Sequence, residues 1–315
     1  MPIGQFIVFF LLLLTGFFCK KYNVLNDTAV GAINKFIILI AYPCLILVRI
    51  TDLEMDHVIF INFLLSLFIN LGLLLLIGAY ARLYCRGKRF PADDKPAAEF
   101  SLMSSNNGFM GFPVAIAFFG DFGLLYMVAA NVALNTMFFT YGITLMKRGR
   151  GIPGESAGKK LLGFLGMLAS PKVSAAIAGI ILCYNHIKLP GIVYDYLNGV
   201  GAVATPMAMI SIGTILAGGL SINSFRERVV IEPALNKLFA APVIAAAIVW
   251  FLPIDPLLKT ILIVSNALPT ATTVPILAEQ YDRNKGLAGR ILVVTTLISM
   301  ATVPAAIWFL HRVSL

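Results

Sequence analysis

Apolar runs of membrane-crossing length, separated by short polar stretches, fill the chain from one end to the other. A helix needs roughly 20 consecutive apolar residues to cross the hydrocarbon of a bilayer. On that criterion the pattern predicts ten spans: Ile3–Phe18, Ala29–Val48, Val58–Ala79, Glu99–Phe119, Leu124–Met146, Pro171–Tyr184, Val193–Ala217, Val229–Leu252, Leu257–Ala278 and Leu287–Leu310. The apolar run Leu161–Leu168 stands in front of span 6. No long polar segment is left over for a soluble domain. No charged stretch precedes span 1, and the first positive charge is Lys20, so the reading keeps span 1 in the mature chain rather than as a cleaved leader.

The polar positions between the spans carry orientation. Loops after odd-numbered spans hold 17 Lys and Arg: Lys20, Lys21, Arg82, Arg86, Lys88, Arg89, Lys95, Lys147, Arg148, Arg150, Lys159, Lys160, Arg226, Arg228, Arg283, Lys285 and Arg290. The even loops and the C-terminus hold 4: Arg49, Lys188, Lys259 and Arg312. Cytoplasmic loops are enriched in these residues, so the asymmetry predicts odd loops in the cytoplasm and both termini outside. The longest polar stretch, Lys147–Lys160, divides the chain into residues 1–146 and 161–315, each with five spans. Five is odd, so the second half enters the membrane inverted relative to the first, the parity of an inverted-repeat transporter.

The two halves are punctuated alike. Span 4 reads S-S-N-N-G-F-M-G-F-P-V-A (Ser104–Ala115), and span 9 reads S-N-A-L-P-T-A-T-T-V-P-I-L-A (Ser265–Ala278). Both are fourth in their half. Pro113, Pro269 and Pro275 each lack an N–H and clash with the preceding turn, while Gly108 and Gly111 loosen the backbone. Non-helical backbone at membrane depth survives only where protein or a watery cavity satisfies it, and matched breaks in two halves point to a binding site. The pattern predicts half-helices starting at Val114 and Ile276, whose free N–H groups suit an anion. Asn106, Asn107, Gly111, Pro113, Asn266, Pro269 and Pro275 are therefore the candidate substrate-binding residues, able to hold a carboxylate without a buried Arg.

Other polar residues recur in spans 3–5 and 8–10. Asn62, Ser66 and Asn70 share one face of span 3, read as separate from the breaks, and Asn131 and Asn135 share a face of span 5. Spans 1 and 6 are nearly free of such residues. This suggests a polar transport bundle (spans 3–5 and 8–10) and an apolar scaffold bundle (spans 1, 2, 6 and 7). Charges inside spans are functional candidates. Glu232, flanked by Pro233 and Asn236, is the candidate for ion or proton coupling, with Asn131 and Asn135. Lys237, Glu99, Lys35 and Glu279 are read as snorkelling to the interface.

Composition removes other classes. The chain is 59% hydrophobic and 12% charged, against about 45–50% and 25% in soluble proteins. The net charge of +9 would raise nucleic acid as a partner for a soluble chain; here it resides in short loops. Cys19, Cys44, Cys85 and Cys183 are far apart, as are His57, His186 and His311, which gives no metal or disulfide framework. No Ser or Cys has a His and a carboxylate within helix spacing, so an enzyme is not expected, and no cofactor.

N-N-G-F-M-G-F-P (Asn106–Pro113) and A-L-P-T-A-T-T-V-P-I-L-A-E-Q-Y (Ala267–Tyr281) resemble the helix 4 and helix 9 signatures of the auxin efflux carrier family, which includes plant PIN carriers and bacterial malonate- or malate-type carriers. The resemblance extends over the chain in length and layout. It implies an all-α integral membrane fold of ten helices, with broken helices 4 and 9 crossing, a scaffold bundle and a moving transport bundle. It also implies elevator-type alternating access, carboxylate binding near Asn106 and the prolines, and a homodimer. The chain has no long loop of the plant kind, and the spacing of Pro269 and Pro275 departs from the PIN pattern. A small organic acid is therefore the expected substrate class, with H+ or Na+ as the coupling ion. The related fold of the bile acid sodium symporters and of cation/proton antiporters is the alternative. An antiporter would be expected to carry Asp where the breaks carry Asn and Ser. A membrane receptor or enzyme is the alternative of a different class.

Overall fold

The computed structural model describes residues 3–86, 90–150, 158, 162–163, 165–166, 169–219 and 222–312, and every regular element among them is helical. The run Leu161–Leu168 and the polar stretch beyond Arg150 fall largely outside the described residues. We number the helices α1 (Ile3–Lys21), α2 (Asp27–Thr51), α3 (His57–Arg86), α4 (Lys95–Met103), α5 (Phe112–Met137), α6 (Ile143–Lys147), α7 (Pro171–Tyr184), α8 (Gly191–Gly219), α9 (Arg228–Val249), α10 (Pro256–Ala267), α11 (Thr273–Gln280) and α12 (Lys285–Arg312).

Among the described residues, seven segments rather than the expected ten are long and apolar enough to cross a membrane. Two of the missing three are short: α7 has 14 residues and α10 has 12, where about 20 are needed. The third is merged, because spans 4 and 5 lie in one stretch, Lys95–Lys147. That stretch turns at Gly120, whose φ of 66° and ψ of −157° occupy a region open essentially to glycine alone.

Four π-turns occur among the described residues: Ile37–Ala41, Asn107–Gly111, Phe138–Gly142 and Asn236–Ala240. Proline stands two positions beyond three of them, as Pro43, Pro113 and Pro242. The cause is local: a proline ring pushes on the carbonyl four residues back and offers it no N–H, so the preceding turn widens and bonds one residue further on.

The chain divides into two compact units. The first holds residues 1–65, 108–129 and 165–218. Its helices touch through glycines: a Cβ on Gly16 would run into the Ile210 carbonyl, and one on Gly213 into the Leu13 carbonyl, so α1 and α8 pack backbone to backbone. Gly179 of α7 faces Ile50, and Gly201 of α8 faces Leu45. Small residues at such contacts are how helices associate where no water drives them together. Tyr42 is fully buried and packs edge-on against Phe109 and Phe112. Ile7, Phe10, Leu11, Leu39, Ile181 and Ile192 point outward, the apolar exterior that lipid requires.

The second unit holds residues 66–107, 130–164 and 219–315. Its core gathers Phe100 and Met103 of α4, Leu134 and Met137 of α5, Leu145 of α6 and Leu277 of α11. A second cluster joins Val230 and Ala234 of α9 to Leu287, Ile291 and Val294 of α12. At one end of the unit Arg283, almost fully buried, acts as a clasp. Its Nε donates to the Met146 carbonyl at 2.8 Å, and one terminal nitrogen reaches Asp93 at 3.2 Å.

Candidate functional site

The two broken spans satisfy one another's backbone inside the second unit. α4 stops at Met103, where Ser104 turns extended, and α10 stops at Ala267, where Leu268 does the same. Each stop releases carbonyls and N–H groups that must find partners. The Asn106 N–H donates to the Pro269 carbonyl at 2.8 Å. The Thr270 hydroxyl donates to the Ser101 carbonyl in the last turn of α4 at 2.9 Å, and the Thr270 N–H donates to Thr295 Oγ1 of α12 at 3.2 Å. The breaks thus fix each other.

Side chains fill the same place. Asn70 of α3 donates to Ser265 Oγ at 3.2 Å and accepts from Asn266 Nδ2 at 3.4 Å. Asn266 Nδ2 also donates to the Leu262 carbonyl at 2.9 Å. Lys237, within the π-turn of α9, has no exposed surface, and its ammonium donates to Ser105 Oγ at 2.6 Å and to the Asn266 carbonyl at 3.2 Å. Ser104, Asn107 and Asn266 are equally buried; Ser104 Oγ, Asn107 Oδ1 and Asn266 Oδ1 have no hydrogen-bond partner among the described residues. Unsatisfied polar atoms at this depth are costly.

Of the predicted residues, Asn106, Asn266 and Pro269 meet at the crossing. Asn107 follows directly in the chain. Gly111 and Pro113 lie in the first unit. The half-helices begin earlier than expected, at Asn107 and Thr273 rather than Val114 and Ile276. Pro113 shapes a π-turn, and Pro275 sits in the first turn of α11, where its missing N–H costs nothing. Asn131 and Asn135 bond each other along α5 at 3.2 Å. Glu232 takes a bond from Tyr84 at 2.7 Å, and Asn236, one turn on, takes one from Tyr80.

Three sequence readings are corrected. Lys237 does not snorkel: the π-turn carries it inward to the breaks. Asn70 is not on a separate polar face, because α3 turns it into the same network. Glu99 is buried, held by Tyr141 and by Arg148 at 3.4 Å, instead of reaching an interface. The signal that would have found Lys237 is Pro242, five residues on, which widens the turn that holds it.

A transport family's profile, described as membrane transport protein, matches residues 3–160 and again residues 161–308, together nearly the whole chain. The chain belongs to this membrane transport protein family. It is the auxin efflux carrier family whose helix 4 and helix 9 signatures the chain resembles. Relatives include an uncharacterized transporter of Methanocaldococcus jannaschii, 25% identical over 98% of this chain and 99% of its own. Another uncharacterized transporter, of Methanothermobacter thermautotrophicus, is 24% identical over 93% of both chains. A putative malonate transporter of Rhizobium meliloti is 21% identical over 98% of this chain and 95% of its own. Family and relatives indicate a multi-pass membrane transporter, not an enzyme.

Proposed function

We propose that this membrane protein is a secondary transporter of a small organic anion, and that the anion binds where the two broken spans cross. The observation that carries this reading is the Asn106 N–H bond to the Pro269 carbonyl at 2.8 Å. It brings together breaks 163 positions apart in the chain, amid buried Asn, Ser and Lys side chains, in a member of a transport family. The proposed cycle is elevator-type alternating access between ten spans arranged as inverted repeats, with the second unit carrying the anion and the first acting as scaffold and homodimer contact. The like-placed breaks of the two halves, Ser104–Ala115 and Ser265–Ala278, support the repeat. Glu232, bonded to Tyr84 beside the Tyr80–Asn236 pair, is the coupling candidate. The Lys and Arg asymmetry supports a location in the cytoplasmic membrane with both termini outside.

Uptake of radiolabelled carboxylates into proteoliposomes containing the purified protein tests this. Saturable uptake of at least one carboxylate, abolished by Asn106→Ala together with Asn266→Ala in a protein that still folds, is the expected result. Uptake unaffected by that pair would place the anion elsewhere.

A further inference from the structure

Among the described residues, one basic side chain and no acidic one takes part in the hydrogen bonds at the crossing. Lys237 is fully buried, and among the described residues no carboxylate lies within ion-pair distance of its ammonium. The groups that gather around the breaks, Asn70, Ser104, Ser105, Asn106, Ser265 and Asn266, are neutral. A buried charge is costly unless it is paired as well as hydrogen-bonded. An ammonium has three donors, and the protein accounts for two, through Ser105 Oγ and the Asn266 carbonyl. The third donor and the whole counter-charge are left to something else. Next to Ser105 in the chain, the buried hydroxyl of Ser104 has no hydrogen-bond partner among the described residues.

We propose that Lys237 is the counter-charge of the transported anion and sets its valence at one. This rests on the reading of the crossing as the anion site and refines it. A monocarboxylate makes the loaded site neutral. A dicarboxylate dianion would leave one negative charge buried among amides and hydroxyls, so a diacid is accepted only as its singly charged form. The geometry that imposes this is the π-turn Asn236–Ala240, which aims Lys237 at the breaks.

The test compares matched probes by calorimetry on the purified full chain near neutral pH: malonate against its monomethyl ester, with propionate as a simple monoanion. The wild-type protein is expected to bind the monomethyl ester about tenfold or more tighter than malonate. Lys237→Met keeps the length, removes the charge and is expected to fold, since an apolar replacement of a buried charge is often tolerated. It should weaken the monoanions by about tenfold to a hundredfold, the loss of a hydrogen bond to a charged group, and erase the preference for the ester. Malonate bound as tightly as its half-ester would overturn the valence claim and leave the site standing, a comparison that needs no variant. Monoanion affinity unchanged in Lys237→Met would overturn the role of Lys237 alone. No binding of any carboxylate to folded wild-type protein would remove the anion reading, and this inference with it.

Discussion

At the scale of single residues, the candidate site draws Asn70, Ser105, Lys237 and Asn266 together from distant parts of the chain. Asn106, Asn266 and Pro269 declared themselves because polar and helix-breaking residues are out of place in an apolar run. Lys237 and Asn70 did not, because a lone Lys near a helix start is usually a solvated one, and the face that an Asn presents depends on which helix it meets. Asn70 makes two neutral bonds at the crossing, each worth about 1 kcal/mol. Asn70→Ala should therefore lower carboxylate affinity several-fold in a calorimetric titration. Asn131→Ala, which removes a bond internal to α5, should leave that affinity nearly unchanged. Equal effects of the two substitutions would count against the boundary of the site drawn here.

Elements explain why those residues converge. The limits of the long helices were readable from hydrophobic run length, because span length is set by the bilayer. The π-turns were not, since a proline in a membrane helix reads as a kink and its effect on the preceding turn is a matter of backbone geometry. Pro242→Ala restores the missing N–H to α9 and favours an ordinary α-helical turn, which rotates Lys237 away from Ser105. Carboxylate affinity should fall with little change in the melting temperature, whereas unchanged affinity would mean that the turn does not depend on its proline. Gly120 makes the opposite prediction. Its φ and ψ exclude other residues, although a Cβ would meet no atom nearby. Gly120→Ala should lower stability by about 1–3 kcal/mol, seen as an earlier denaturation midpoint in detergent.

At the scale of the whole molecule, the two units do not follow the predicted bundles span for span: residues 58–65, the start of span 3, group with the first unit. Residues 108–129, the part of span 4 beyond its break with the start of span 5, group with the first unit. The sequence pattern assigns whole spans to bundles, whereas spans 3, 4 and 5 each contribute to both units. Orientation is tested by labelling single cysteines in a cysteine-free background. Position 188 should react with an impermeant reagent added outside cells, and position 285 should react only after the cells are opened. The reverse pattern would invert the topology.

Whether the crossing binds the anion is decided by the location of a bound one. A brominated carboxylate shown by calorimetry to bind should give an anomalous scattering peak beside Ser105, Asn106, Lys237 and Asn266. The first unit offers a contrasting polar cavity of about 430 Å³ lined by Asp52, Glu54, His186 and Lys188. A peak there, with none at the crossing, would move the anion site out of the second unit.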